Sequence, residues 1–212
     1  METSQEIITG KNVSEAVLRV CDALEAQHED ILALDQAMGD GDLGITVAKI
    51  AQADRVFVQN NPVEDIGKFL AALGMETNKA APSTMGTLLA TALMRAGKET
   101  RGVESLTPAL LVKILEAAEQ GIQERGKAKL GDKTVLDALH PAVAVFTEAV
   151  SSGKSLGEAG TMMVAAAEQG RDDVTNKQSR IGRASWVGER TIGLVDPGCA
   201  VLVAIFKAII TK

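Results

Sequence analysis

The sequence predicts an all-α protein, folded as a single domain over residues 1–212. Apolar residues recur at three- and four-residue spacings along most of the chain, whereas valine, isoleucine and threonine rarely alternate with period two. At Thr107–Pro108 and Asp196–Pro197, a capping residue precedes a proline suited to the first helical position. No Pro/Ser-rich linker and no repeat of fixed period divides the chain. These observations predict eight amphipathic helices around one core.

The first half of the chain predicts four helices. Asn12 is a suitable N-cap for the first, because Glu15 stands three residues later in the capping-box position. An interruption of the third helix near Gly74 is left open, since glycine weakens a helix interior. The predicted bounds are Asn12 to about Leu34, just after Gly44 to just before Asn60, Val63 to about Lys79, and Pro82 to Gly97.

The second half predicts four more helices, which run from Thr107 to near Gly126, Thr134 to Val150, Ser155 to Gly170 and Asp196 to about Ile210. Pro141 lies inside the sixth helix and should kink or split it, because proline has no N–H to donate. The polar stretch from Asp172 to Val195 shows no helical pattern. Loops longer than ~15 residues usually carry function or are disordered, so this stretch is a place to look for chemistry.

The composition excludes several classes of protein. The 22 basic and 28 acidic side chains give a net charge of −6, which argues against a general nucleic-acid binder. No run approaches the ~18 uncharged apolar residues of a membrane span, and residues 1–11 lack the apolar core of a signal peptide. Cys21 and Cys199 alone cannot form a disulfide framework or a zinc site. These features predict a cytoplasmic protein.

The stretch from Asp35 to Gly44 is acidic and rich in glycine. It places three carboxylates, those of Asp35, Asp40 and Asp42, within eight positions, where a divalent cation would offset their mutual repulsion. A calcium EF-hand does not fit, since position six from Asp35 is an aspartate rather than glycine and position twelve is Thr46. The spacing favours a Mg²⁺ site open to phosphate oxygens, beside a helix start that favours an anion. A plain surface turn is the alternative.

Two other segments offer groups suited to phosphate. Arg183 lies in the polar stretch, and its guanidinium could donate two hydrogen bonds at once, although a solvated loop is the alternative for any single arginine there. Ser83 and Thr84 place hydroxyl groups at a predicted helix start, where plain N-capping explains them equally well.

Taken together, these motifs resemble the nucleotide-binding L subunit of the dihydroxyacetone kinase family. The resemblance covers nearly the whole chain in order, with motifs in five places: Asp35 with Gly39–Gly44, Pro82–Gly86, Arg125–Thr134, Gly182–Arg190 and Asp196–Gly198. It implies a barrel of eight antiparallel helices that holds ADP or ATP across one rim with two Mg²⁺ ions.

Carried over by position, the resemblance assigns the Mg²⁺ ions to Asp35, Asp40 and Asp42. It assigns the phosphates to Leu43, Gly44, Ile45, Thr46, Ser83 and Thr84, and the adenosine half to Gly126, Val135, Arg183, Asp196, Pro197 and Gly198. Two departures concern the phosphate contacts. Many members have His, Thr or Cys at the position of Leu43, and their turn often reads Gly-Ala-Ser-Gly where this chain has Ala81–Thr84.

The resemblance implies a subunit that transfers a phosphoryl group to a short ketose, dihydroxyacetone or a related triose or tetrose, bound covalently on a separate K subunit. In one version ATP binds and ADP leaves. In the other, ADP stays bound and a phosphocarrier subunit, fed from phosphoenolpyruvate, rephosphorylates it. The ATP version is slightly favoured, and both stay open, as does a homodimer; no nucleic acid or membrane is expected as a partner. Two rivals lack transfer activity: a metal-binding regulatory protein and a structural helical subunit.

Overall fold

The computed structural model describes residues 7–211 and confirms the all-α fold. Eight α-helices account for most of that range: α1 Gly10–Met38, α2 Leu43–Asn60, α3 Ile66–Ala80, α4 Thr84–Glu99, α5 Pro108–Gly126, α6 Val135–Ser151, α7 Leu156–Asp173 and α8 Pro197–Ile210. Two strands of two residues each, β1 Ile8–Thr9 and β2 Ser105–Leu106, form an antiparallel pair that the sequence did not predict.

Helix α1 is longer at both ends than predicted. Its N-cap is Thr9, whose side chain accepts from the backbone of Asn12, while the Asn12 side chain accepts from the Thr9 backbone. Asn12 is therefore the partner in the capping box rather than the cap itself. At the other end α1 continues to Met38, so Asp35 lies on its last turn and not in a loop.

The third helix also differs from the prediction. It begins at Ile66, behind an Asp65 cap that accepts from Lys68 N, and Gly74 does not interrupt it. A Cβ atom at Gly74 would lie 2.9 Å from the carbonyl oxygen of Ala90. The glycine is therefore needed for close packing of α3 on α4, and not as a break.

Pro141 does not split α6, which is continuous across it. Proline cannot donate to the carbonyl of Asp137 four residues before it. Gly170 of α7 packs at this place, where an added Cβ would collide with the Asp137 carbonyl oxygen and with the Pro141 ring. The missing hydrogen bond thus lies at a close crossing of two helices.

The helices form a closed antiparallel barrel. Each helix packs against the next along the chain, and α8 packs against α1, which closes the ring. In such an arrangement the C-terminal ends of α1, α3, α5 and α7 meet the N-terminal ends of α2, α4, α6 and α8 at one end, which we term the upper rim. Among the described helices, none is both long and apolar enough to cross a membrane.

The barrel encloses an apolar cavity of about 390 Å³, lined from every helix except α7. Asp54 is one of the few polar groups in its wall and is only 6 % exposed. The hydroxyl oxygen of Thr77 lies 3.0 Å from both carboxylate oxygens of Asp54 and 2.9 Å from the carbonyl oxygen of Leu73. Burial raises the pKa of Asp54 to about 7, against an opposing effect of the Thr77 hydrogen bond.

Candidate functional site

A second cavity, of about 210 Å³, opens at the upper rim. Its wall is built from the α1–α2 connection, the N-terminal ends of α4, α6 and α8, the C-terminal end of α5, and the segment after α7. Eleven of the residues predicted as site residues line it: Asp35, Asp40, Asp42, Leu43, Ser83, Thr84, Gly126, Val135, Arg183, Asp196 and Gly198. Residues from most of the chain's length therefore meet at one place.

The structure places the other four predicted residues away from the cavity wall. Gly44 faces α1, where a Cβ would collide with the His28 carbonyl oxygen, and Thr46 is buried. Ile45 is 53 % exposed on the outside of the first turn of α2, and Pro197 is buried at the first position of α8. Gly44 thus serves the packing of α2 on α1. A nucleotide contact from any of the four stays a prediction.

The three predicted metal ligands come together at the mouth of this cavity. Asp35 lies on the last turn of α1, Asp40 lies in the following turn, and Asp42 precedes α2. Each offers a carboxylate oxygen within 4.8 Å of the others. Gly41 permits the turn, because its φ of +73° lies in the left-handed region. We call these three aspartates the acidic cluster. Three converging carboxylate oxygens beside an open cavity fit a hard divalent cation such as Mg²⁺.

Besides belonging to the acidic cluster, Asp35 accepts a hydrogen bond within this turn. Its Oδ2 accepts a hydrogen bond of 3.0 Å from the backbone N–H of Leu43, the first residue of α2. The carboxylate thereby orients the start of α2 relative to the end of α1. Asp42, at the N-cap position of α2, makes no side-chain hydrogen bond to the helix. The Asp42 carboxylate therefore does not cap α2.

Arg183 reaches the acidic cluster from the far part of the chain. Its guanidinium Nη1 lies 3.0 Å from Asp42 Oδ2 and also pairs with Asp40. Arg183 belongs to the rim segment, which we define as residues 174–195. This segment contains two short 3₁₀ helices, Arg183–Trp186 and Gly188–Thr191, where the sequence predicted an irregular loop. A cation thus already faces the carboxylates in this structure.

Four helix N-termini, those of α2, α4, α6 and α8, contribute to the cavity wall. Ser83 caps α4 through Gly86 N, Thr134 caps α6, and Asp196 caps α8 through Cys199 N. The α2 terminus differs, since its N-cap residue Asp42 makes no side-chain hydrogen bond to the helix and Asp35 accepts only from its first N–H, that of Leu43. Aligned peptide dipoles make such termini electropositive, and uncapped N–H groups suit an anion. The region around Leu43 is therefore the best place in the cavity for a phosphate.

Asp196 is a buried carboxylate among the predicted nucleotide contacts. Burial raises its pKa to about 6, while the hydrogen bonds with Cys199 and the charge of Lys133 act in the opposite direction. Its Oδ1 accepts from Cys199 N at 2.7 Å. Asp196 therefore fixes the start of α8 at the cavity wall.

Sequence reasoning missed Lys133, which borders the cavity although only 1 % of it is exposed. It stood in an apparently solvated basic stretch, close to Lys127 and Lys129. Its ammonium group instead donates to the carbonyl oxygens of Thr175, Lys177 and Thr191. The only available signal was its position in the Arg125–Thr134 motif, directly before the Thr134 cap.

Comparison with known proteins relates the chain to kinases. The DAK2 domain matches residues 37–211. The chain is 33 % identical to the ADP-binding subunit DhaL of PEP-dependent dihydroxyacetone kinase 1 from Listeria innocua, over 84 % of this chain and 83 % of that subunit. It is 31 % identical to the corresponding subunit from Escherichia coli, over 85 % of this chain and 86 % of that one.

Longer proteins match as well. The mouse triokinase/FMN cyclase is 29 % identical over 96 % of this chain, which spans only 35 % of the mouse protein. The crystal structure of the dihydroxyacetone kinase of C. freundii superposes with a TM-score of 0.73 at 24 % identity, over 98 % of this chain and 36 % of that one. The chain therefore spans about a third of these longer proteins, and their likeness supports the helical barrel.

Proposed function

Because the chain belongs to the DAK2 domain family, we propose that it is the nucleotide-binding subunit of a dihydroxyacetone-type kinase. In this proposal it holds ADP or ATP with Mg²⁺ in the upper-rim cavity. It transfers a phosphoryl group to a short ketose, dihydroxyacetone or a related triose or tetrose, that a separate K subunit binds. The relatives from Listeria and Escherichia coli support a subunit of this size, since they are named as ADP-binding subunits and match over most of their length.

The observation that carries the proposal is the meeting of the acidic cluster with the N-terminus of α2, which has no cap from its own N-cap residue Asp42, at the mouth of the cavity. Carboxylates alone would repel a diphosphate, and a helix terminus alone would not select a metal complex. Side by side, they favour phosphate oxygens that carry a divalent cation. Asp35, Asp40 and Asp42 would hold the cation, and two ions are what the family resemblance implies.

Other parts of the wall suit the nucleoside. Met85, Leu88, Ile122 and Val135 make part of the wall apolar, which suits the face of a nucleotide base. Bound Mg²⁺ supplies charge neutralisation at the phosphoryl group. The protein itself contributes positioning, with Arg183 near the carboxylates and Ser83 and Thr84 at the start of α4.

The ketose site is expected on another chain. Within the described residues, the wall of the upper-rim cavity contains no histidine and no cysteine that could bind a ketose covalently. Cys21 and Cys199 are free and buried, which fits a reducing compartment such as the cytoplasm. A K subunit docked on the upper rim would bring the acceptor to the phosphoryl group.

The test is phosphorylation of dihydroxyacetone with Mg-ATP by the chain alone and by the chain mixed with a ketose-binding K subunit. We expect product only from the mixture, and binding of Mg-nucleotide by the chain alone. Product from the chain alone would contradict the two-subunit mechanism. Metal binding without nucleotide binding would favour the metal-binding regulatory rival, and binding of neither would favour the structural rival.

The source of the phosphoryl group needs a separate measurement. Native mass spectrometry of gently purified protein would show whether ADP stays bound. Retained ADP, rephosphorylated by a phosphocarrier subunit with phosphoenolpyruvate, would establish the phosphocarrier version. A chain that is isolated empty and turns over ATP with the K subunit would establish the ATP version.

A further inference from the structure

Lys133 presents an unusual arrangement for a lysine beside a proposed phosphate site. Its side chain is almost fully buried, and its Nζ lies 2.8 Å from the Thr175 carbonyl oxygen, 3.1 Å from that of Lys177 and 2.5 Å from that of Thr191. An ammonium group has three N–H donors, so these three carbonyls use all of them. Lys133 therefore cannot donate to a nucleotide without giving up one of these bonds.

The three acceptors lie on both sides of Arg183 in the chain. Thr175 and Lys177 begin the rim segment, and Thr191 ends its second 3₁₀ helix. Two bonds within the segment support the same closure: Gly193 N donates to the Thr175 carbonyl, and Ser179 N donates to the Thr191 hydroxyl. The intervening residues, which include Arg183, thus form a loop with both ends fixed to one buried ammonium group.

The backbone of Lys133 is itself held firmly. Its φ of +62° lies in the left-handed region, which a residue with a side chain occupies at a cost. On one side, the Asp132 carbonyl accepts from Arg180 N of the rim segment. On the other, the Thr134 carbonyl accepts from Cys199 Sγ of α8. Lys133 therefore connects the starts of α6 and α8 to the rim segment.

We infer that Lys133 is a positioning residue, whose ammonium group holds the rim segment closed so that Arg183 stays beside the acidic cluster. Burial opposes the charge of Lys133 and lowers its pKa, while Asp196 acts in the other direction. The positive charge also makes each of the three hydrogen bonds stronger than a neutral one. The part of this inference that concerns nucleotide affinity rests on the proposed function, and the part that concerns the segment does not.

The test compares Lys133→Met with the wild-type chain and with Lys127→Met. Lys127 is a suitable control because it lies in the same connection, also has a left-handed φ, and is exposed. Trp186, the only tryptophan of the chain, is 88 % exposed within the rim segment and reports on the segment's mobility through its fluorescence anisotropy. Trypsin cleavage after Arg180, Arg183 and Arg190, mapped by mass spectrometry, gives a second readout.

For Lys133→Met we expect lower Trp186 anisotropy, cleavage in the rim segment at least tenfold faster, and a roughly tenfold higher Kd for Mg-ADP, all measured well below the melting temperature. Lys127→Met should match the wild type in all three. A lower melting temperature with wild-type anisotropy, cleavage and Kd would show a merely structural role and overturn the inference.

Two further outcomes are also decisive. If Lys133→Met lacks the wild-type circular dichroism, Lys133→Gln replaces it, since glutamine keeps two N–H donors without the charge; wild-type cleavage and anisotropy in that variant would overturn the inference. If the wild-type chain binds no Mg-nucleotide, the proposed function fails, and the cleavage and anisotropy measurements still decide whether Lys133 holds the segment.

Discussion

The guanidinium of Arg183 donates a hydrogen bond of 3.0 Å to the carboxylate of Asp42, across 141 residues of chain. Arg183 therefore neutralises part of the charge that a divalent cation would neutralise in its place. Both side chains are more than half exposed, so the pair itself contributes little to the stability of the fold. Its significance lies in the competition between arginine and metal for the same oxygens.

This competition predicts two opposite effects of Arg183→Gln. Without the guanidinium, the nucleotide-free chain should bind Mn²⁺ or Mg²⁺ more tightly, by about fivefold, since an exposed ion pair of up to ~1 kcal/mol no longer has to be broken. Affinity for Mg-ADP should fall by about tenfold, because an expected nucleotide contact is lost. Titration calorimetry measures both, with Arg180→Gln as an exposed control from the same segment. Loss of both affinities together would contradict the competition.

The second prediction concerns Asp42→Asn. The change keeps the shape of the side chain and removes one charge from the acidic cluster, so binding of Mg-nucleotide should fall by at least tenfold. The helical circular dichroism should not change, because Asp42 makes no capping hydrogen bond to α2. Asp30→Asn, an exposed change on α1, is the control. An unaltered nucleotide affinity would remove Asp42 from the cation ligands.

The third prediction is that Mg²⁺ and ADP stabilise the fold together more than the sum of their separate effects. Without metal, the acidic cluster repels the diphosphate, and metal alone lacks the phosphate oxygens that complete its coordination, so the two bindings are coupled. At a thousand times Kd, bound ligand adds about 4 kcal/mol to the free energy of unfolding. That corresponds to a rise of roughly 8–16 °C in Tm for a domain of this size.

The measurement is a thermal melt of chelator-treated protein with each ligand alone and with both. Either ligand alone should raise Tm by only a few degrees. An equal rise with ADP in the presence and absence of Mg²⁺ would contradict the carboxylate site. A full rise with Ca²⁺ alone would favour the metal-binding regulatory rival.

The fourth prediction concerns Asp54 in the barrel interior. Its pKa is about 7 in the folded chain, against 3.8 for the free side chain. The folded state thus holds the proton more tightly, so the free energy of unfolding falls as pH rises from about 4 to 7. At ~1.36 kcal/mol per pKa unit, the limit of this fall is roughly 4 kcal/mol. Asp54→Asn should remove it, because a carboxamide stays neutral and can donate to the Thr77 hydroxyl as a protonated carboxyl would.

Urea unfolding at pH 5 and pH 8 measures this effect. We expect the stability of the Asn variant relative to the wild type to be greater at pH 8 than at pH 5, where less than half of the fall has occurred. Asp30→Asn should show the wild-type pH dependence. A parallel pH dependence in the wild type and Asp54→Asn would show that Asp54 is ionised in the folded state throughout.

The spacing of apolar residues was sufficient to predict the eight helices. Their caps and interruptions depend on tertiary contacts, which this spacing does not show. Thr9 and Asn12 are both good capping residues, and only the structure shows that they cap each other's backbone in one box. Pro141 was expected to kink or split α6, and the structure shows that the helix is not split at this place, where Gly170 of α7 packs closely.

At the site, short-range spacing identified the acidic cluster, because its three members lie within eight positions. Lys133 could not be found in the same way, since its three acceptors lie 42 to 58 residues further along the chain. Lysine is also rarely buried, so the residue type predicts an exposed side chain rather than a buried one. Gly44 differs from Lys133, because it was predicted as a phosphate contact and the structure places it where α2 packs closely on α1.

The closure of the barrel by α8 against α1 has a consequence for the order of folding. Arg19 Nε donates to the Ala208 carbonyl at 3.0 Å, a contact between residues 189 positions apart. Such a contact contributes only after the entropy of closing a very long loop has been lost, so it should form late. Until then the acidic cluster at the end of α1 and start of α2 is not held near Asp196 and Gly198 of the α8 start, and the interior is open on one side. The ability to bind a ligand at the rim should therefore arise in the final step of folding, when the ring closes.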